Sequence, residues 1–238
     1  APLDDLKASF ENELRLSGKP ANFLILDENI PEQKMYPEFV MYRDWFRQQG
    51  WAAEILEAAA YDSREGFVYN RLTDFYLENY PVLREAFVKD TACFSPNPYE
   101  YFLLCDKERL IQFGDPEFLR QAGASDAEIS AISKVVIPTF DKSHFGSVDD
   151  IWHDRKQLFF KPKRSHGGKS VYRGESVSRK VFERLMMEDI LIQRYQPAQK
   201  VPTDDPRSVL ENWKFDLRFF VYEDRIQLSC ARIYQGQV

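Results

Sequence analysis

The sequence predicts an α/β protein, with a small open parallel sheet in its N-terminal part and a two-lobed α+β arrangement behind it. Three observations carry this. Up to about residue 104, short apolar runs alternate with amphipathic helical stretches, the pattern of βαβ units. From about residue 157 the chain changes to longer segments that alternate polar and apolar side chains, as strands do. With 238 residues, 44% hydrophobic and 15% aromatic, the chain can bury substantial cores.

In order along the chain, Leu3, Leu6, Phe10 and Leu14 recur at helical spacing, and Gly18 and Pro20 stop that helix. Phe23-Leu24-Ile25-Leu26 reads as a buried parallel strand ending in Asp27. After the loop 27–36, Pro37 opens a helix that runs through Trp45 to Gly50. Strands follow at Ala53–Leu56 and Gly66–Tyr69, the second running into Asn70-Arg71-Leu72-Thr73-Asp74. A helix over Val82–Lys89 leads to a fourth strand at Ala92–Ser95, closed by Pro96 and Pro98. Ligands of open parallel sheets sit at the carboxyl ends of the strands. That nominates Asp27, Glu28, Gln33, Asn70, Arg71 and Asp74 as substrate-binding candidates, although loop polarity and helix capping account for the same residues equally well. Residues 106–134 read as helical, with caps at Asp115 and Ser125-Asp126, and a further helix covers 178–188. The expected division is an N-terminal helix (1–20), the sheet domain (21–104), one lobe over 105–188 and a second over 189–238.

Composition excludes several classes. A net charge of −6 argues against a general nucleic-acid binder. Cys93, Cys105 and Cys230 are odd in number and far apart, a poor disulfide framework that fits a reducing, cytoplasmic setting. His144, His153 and His166 form no recognisable ligand set, so the metal ligands stay unknown. No run approaches the roughly 20 apolar residues that span a bilayer, and no signal peptide opens the chain. The start, Ala-Pro-Leu without Met, is expected of a part of something longer. Oligomeric state has no sequence signal.

The chemistry-bearing segment is Leu158-Phe159-Phe160-Lys161-Pro162-Lys163-Arg164-Ser165-His166-Gly167-Gly168-Lys169-Ser170-Val171. An apolar strand delivers Lys161, Pro162 ends its ladder, and Gly167-Gly168 allow backbone N–H groups to approach an anion. Lys161 suits nucleotide phosphates as a point charge; a basic glycine-containing surface hairpin fits the same residues. Downstream, Ile190-Leu191-Ile192-Gln193-Arg194-Tyr195-Gln196-Pro197 forms another strand with a polar end. In Lys214–Tyr222, alternation puts Asp216 and Arg218 on one face with Phe220. A carboxylate and a guanidinium so placed suit a phosphate clamp, or a structural ion pair.

This succession resembles the ATP-grasp superfamily, its glutathione synthetase branch above all. There a strand ending in Lys-Pro, a Gly-Gly loop, an adenine-holding strand, an Asp-x-Arg strand and an Ala-Arg-Ile strand follow one another. The matching residues are Lys161-Pro162, Gly167-Gly168, Gln193–Gln196, Asp216-x-Arg218 and Ala231-Arg232-Ile233. Asp106-Lys107 resembles the other nucleotide-contacting lysine, with Pro138-Thr139 as the usual lead-in. Residues 21–104 resemble the sheet domain of the circularly permuted relatives of glutathionylspermidine synthase, through Leu26-Asp27-Glu28, Pro31-Glu32-Gln33, Tyr36-Pro37-Glu38-Phe39 and Tyr69–Asp74. The resemblance implies ATP and Mg²⁺ as cofactors, and ligation of a small-molecule or peptide carboxylate to an amine or thiol through an acyl phosphate. It assigns Lys107, Lys161, Lys163, Gly167, Gly168, Gln193, Arg194, Tyr195, Gln196 and Asp216 to the nucleotide. Arg218 and Arg232 fall to the transferring phosphate.

Two departures stand out. The Glu-x-Asn motif that holds magnesium in that superfamily is missing from these residues. A two-residue turn at Glu223-Asp224 sets Arg232 on the opposite strand face from Arg218, and only a bulge or longer turn brings them together. Two other readings stay open: a nucleotide-binding module without ligase chemistry, and a parallel-sheet domain binding a small anion at Asn70-Arg71.

Overall fold

The computed structural model describes residues 2–163, 171–202, 209–210 and 212–236. The chain is a mixed α/β protein with one parallel sheet and two antiparallel ones. It divides into two compact units, one of residues 1–101 with 218–230, the other of 102–217 with 231–238.

In the first unit, helix α1 (Pro2–Ser17) precedes strand β1 (Asn22–Asp27), helix α2 (Tyr36–Gln48), strand β2 (Ala52–Glu57), strand β3 (Phe67–Asn70), helix α3 (Pro81–Val88) and strand β4 (Cys93–Ser95). The four strands are parallel, in the order β2-β1-β3-β4. The continuous apolar run of β1 is explained by burial on both faces. Phe23 and Ile25 pack with Phe10 and Leu14 of α1 and Phe39 and Phe46 of α2. Leu24 and Leu26 pack on the other side with Leu83 and Ala86 of α3. Gly66, at φ 151°, immediately precedes β3, and a Cβ there would lie 2.5 Å from the Asn22 carbonyl oxygen, so no side chain fits. The short helix α4 (Pro98–Glu100) follows, its start closed by a capping box between Asn97 and Glu100.

The second unit opens with helices α5 (Arg109–Phe113), α6 (Pro116–Gln121) and α7 (Asp126–Val135). The helical stretch predicted over 106–134 is thus three pieces, interrupted at Gly114 and Gly123, and Asp115 and Ser125 cap the second and third as predicted. Strand β5 (Thr139–Phe140), helix α8 (Val148–Asp154), strand β6 (Leu158–Pro162), strand β7 (Tyr172–Arg173), helix α9 (Arg179–Met187) and strand β8 (Ile190–Arg194) follow. Their sheet runs β5-β8-β6-β7, antiparallel throughout. One face packs Leu158, Phe160, Ile190 and Ile192 against Ile151 of α8 and Phe182 and Leu185 of α9. At Gly174 a Cβ would stand 2.0 Å from the Arg155 carbonyl oxygen, which brings the chain after β7 hard against the turn before β6.

Strand β9 (Gln199–Lys200) pairs antiparallel with β10 (Lys214–Tyr222), and β11 (Arg225–Tyr234) flanks β10 across Glu223-Asp224. Glu223 takes a left-handed φ of 52°. Leu217, Phe219 and Val221 of β10 are 60, 55 and 58% exposed. Among the described residues no helix is long and apolar enough to cross a membrane, and the three cysteines form no disulfide.

Candidate nucleotide site

The face of the β5-β8-β6-β7 sheet opposite the apolar core follows from strand alternation. If Leu158 and Phe160 point into the core, Phe159 and Lys161 point the other way. Gln193 pairs with Phe159 on one side and Thr139 on the other, and Arg173 pairs with Phe159. Thr139, Gln193, Phe159, Lys161 and Arg173 therefore share one face.

Lys161 donates from Nζ to Gln193 Oε1 at 2.5 Å. Burial pushes the Lys161 ammonium below the ordinary lysine range, and the charge of Lys107 pushes it the same way. Lys107 donates to the Pro162 carbonyl oxygen at 3.4 Å; burial lowers its pKa too, with Asp106 opposing. Two partly desolvated ammonium groups thus stand near the end of β6, and the charge of Lys107 acts against that of Lys161. An anion placed between them would relieve both penalties, and a nucleotide polyphosphate fits that requirement.

Further along the same face, Phe159, Arg173, Tyr195, Gln196 and Arg232 line a cavity of about 290 Å³. The Phe159 and Tyr195 ring centroids are 5.5 Å apart, and the Arg173 guanidinium lies 4.4 Å from the Tyr195 ring centre. Arg173 pairs with Glu175, while its buried Nε donates to no acceptor among the described residues. Arg232 donates from Nε to Asp216 Oδ2 at 3.0 Å, and its guanidinium lies 5.3 Å from the Tyr234 ring centre.

The sequence candidates separate on this geometry. Lys107, Lys161 and Gln193 come together, and Tyr195, Gln196 and Arg232 line the adjoining cavity. Arg194 is exposed, its guanidinium 6.0 Å from the Phe140 ring centre. The N–H groups of Arg194 and Tyr195 already donate to the carbonyls of Pro138 and Gln157, so neither is offered to a base. Lys163 turns to three carboxylates: Glu108 at 2.7 Å, and Asp141 and Asp189 at 3.0 Å each. Burial works against its charge, but those hydrogen bonds outweigh it and raise its pKa. That geometry ties the end of β6 to the segments before α5, after β5 and before β8. Arg218 is exposed on β10, in the part counted with the first unit. Gly167 and Gly168 lie outside the described residues. The sequence marks Thr139 only as part of a lead-in and does not single out Phe159 or Arg173. Alternation along β6 was the available signal for Phe159; a two-residue strand carries none for Arg173.

At the strand ends of the first unit, Asp27 is buried and its pKa is raised, burial being the largest cause, against the Glu28 N–H and Arg71. Arg71 donates to the Tyr69 hydroxyl at 3.2 Å and pairs with Glu38 at 3.5 Å. Of the other four candidates there, Glu28 accepts from the Tyr80 hydroxyl at 2.9 Å and three are committed to backbone. Gln33 donates to the Glu28 carbonyl, Asn70 accepts from the Leu72 N–H, and Asp74 accepts from the N–H groups of Glu78 and Asn79. These three hold loops in shape. A cavity of about 600 Å³ lies elsewhere in the unit, between α1 and the β10-β11 turn. Among the described residues no three His, Cys, Asp or Glu side chains converge as a metal site would need, and magnesium is assigned no ligand.

No protein-family model matches the chain, and no curated protein does. Among solved structures it is similar to the D-cycloserine synthetase DcsG, with 18% identity, a TM-score of 0.47, and coverage of 73% of this chain and 59% of that one. It is also similar to the ATP-grasp ligase PsnB complexed with a phosphomimetic variant of its minimal precursor, Mg and ADP. That match has 10% identity and a TM-score of 0.46, covering 92% of this chain and 78% of the other. The chain therefore spans less than two thirds of the length of the synthetase. At such scores the likeness assigns no role to any single residue, and the roles below rest on this chain's own geometry.

Proposed function

We propose that the chain is an ATP-grasp protein whose second unit holds the polyphosphate of ATP, and that it serves as an ATP-dependent ligase joining a carboxylate to an amine or thiol. The observation that carries this is Lys161, desolvated on the strand face that also bears Gln193 and Phe159, with Lys107 at the end of the same strand and its charge acting on Lys161. ATP would transfer its terminal phosphoryl group to a carboxylate, leaving ADP and an acyl phosphate, and the amine or thiol would then attack the acyl carbon and displace inorganic phosphate. Lys107 and Lys161 hold and neutralise phosphate oxygens, work that such transfers need more than a covalent nucleophile. Phe159, Tyr195 and Arg173 provide aromatic and guanidinium surface of the kind bases stack on. Asp216 keeps Arg232 aimed beside that cavity, where it would steady transferred charge. Asp27 and Arg71 in the first unit are the polar groups this reading assigns to the acceptor substrate, a small molecule or a peptide. Magnesium belongs to the reading as the ion carried by the triphosphate.

Isothermal titration with ADP and a non-hydrolysable ATP analogue, with and without magnesium, tests it. Wild type is expected to bind, and Lys161→Met to lose at least about tenfold in affinity, as removal of a partly buried charge partner does. Equal affinity in the variant, or absence of binding to the wild type, would overturn the assignment.

A further inference from the structure

The two flanking lysines are the obvious charges of this site, but a neutral side chain between the strands determines how one of them is presented. Gln193 is only 6% exposed, and each end of its amide is engaged. Its Nε2 donates to Thr139 Oγ1 at 2.8 Å. The Thr139 hydroxyl spends its single hydrogen on the Ile137 carbonyl, 2.9 Å away, so toward Gln193 it can only accept. The amide is thereby fixed with its nitrogen toward Thr139 and its oxygen toward Lys161, whose Nζ is 2.5 Å away. Reversal of the amide would set its oxygen against Thr139 Oγ1, whose hydrogen is already used, and its NH₂ against an ammonium, losing both hydrogen bonds.

We propose that Gln193 is a positioning residue: locked from behind by Thr139, it offers Lys161 a neutral acceptor that aims the ammonium and leaves its whole charge to an anionic ligand. A carboxylate of the same length would aim the lysine equally well while cancelling its charge. The charged groups acting around this point are consistent with that division. Lys107 is the cation that presses on Lys161, Asp106 acts on Lys107, and Arg173 on the same face is held by Glu175. The nature of the anion rests on the nucleotide reading; the hold of Gln193 on Lys161 does not.

The test separates the two. Lysines of the whole chain are dimethylated with isotope-labelled methyl groups, and the Lys161 resonance, identified by its loss in Lys161→Arg, is titrated without ligand. In Gln193→Glu the midpoint is expected to rise by about one to three units, the usual effect of an adjacent opposite charge. In the same variant ADP affinity at pH 8 is expected to fall about tenfold, the loss of one charge-assisted contact. Thr139→Val, which frees the amide to turn, should lower the midpoint below wild type, and Thr139→Ser, which keeps the hydroxyl, should restore it. A residue that merely fills space would move neither midpoint. An unchanged Lys161 midpoint in Gln193→Glu, or in Thr139→Val should the former not fold, overturns the proposal. A midpoint that moves in a protein that binds no ADP refutes the nucleotide reading instead and leaves the coupling established.

Discussion

Lys163→Met removes the ammonium that Glu108, Asp141 and Asp189 share, and its cost can be worked from their surroundings. The Lys163 side chain is 13% exposed, but its partners are 37, 40 and 72% exposed, so each pair is screened. Exposed ion pairs are worth about 0.2–1 kcal/mol each. Three of them, together with the repulsion among three carboxylates left facing one another, come to about 2 kcal/mol. For a chain of this size that corresponds to a fall of about 4–8 °C in thermal midpoint. Urea denaturation at low salt, followed by circular dichroism, measures it without the screening that guanidinium would add. The pH dependence follows from Asp141, whose pKa is lowered first by its hydrogen bond to Lys163. A carboxylate with a depressed folded pKa stabilises above its ordinary pKa of about 3.9 and loses that contribution as pH falls through the folded value. The difference between variant and wild type should therefore be full at pH 7 and shrink below about pH 4. It should shrink in 1 M salt as well, where the screening length is about 3 Å. A variant within about 0.5 kcal/mol of wild type at pH 7 and low salt, the range of an ordinary surface change, would refute the claim that this lysine ties the unit together.

Three further outcomes are expected. Asp27→Asn should stabilise the first unit at neutral pH: burial raises the Asp27 pKa above its ordinary value, so stability falls as pH rises through that window, and the neutral side chain escapes the loss. Melting curves from pH 3 to 8 should show the advantage of the variant growing with pH; a constant difference would contradict it. Gly174→Ala sets a methyl group 2.0 Å from the Arg155 carbonyl oxygen and should cost about 3 kcal/mol or more by overpacking, read as a lowered urea midpoint. Ser125→Ala breaks the reciprocal capping of α7 by Ser125 and Glu128 and should cost about 1 kcal/mol, while Ser125→Asp should keep most of it.

The parallel sheet was legible because each of its strands is a run with one meaning. Phe23 to Leu26 are apolar without a break, which only burial on both faces explains, and the structure places cores on both sides. The caps at Asp115 and Ser125 were legible because a side-chain acceptor just before a helix has a specific mechanical use. The interruptions at Gly114 and Gly123 were not, since glycine within a helical pattern is tolerated about as often as it breaks one. Strand β5 and helix α8 escaped notice because two residues make no period and seven barely make two turns. At the site, Lys161 could be found from the strand and turn residues around it. Lys163 could not be told apart from it, because Glu108, Asp141 and Asp189 are distant in sequence and meet it only in the folded chain. Thr139 and Gln193 were separated by 54 positions and joined by strand pairing, a relation no local pattern encodes.

The wet row of Leu217, Phe219 and Val221 on β10 has a consequence for how unevenly this protein holds together. Amide protons survive in heavy water where opening the backbone also exposes packed apolar surface. Opening β10 and β11 exposes little that is not exposed already, whereas opening β1 uncovers two cores at once. Exchange should therefore run down the chain in a gradient, with the amides of Lys214–Tyr234 lost early and those of Phe23–Leu26 among the last. Any molecule that settles on the apolar row would announce itself first as slowed exchange there, long before it altered the melting of the rest.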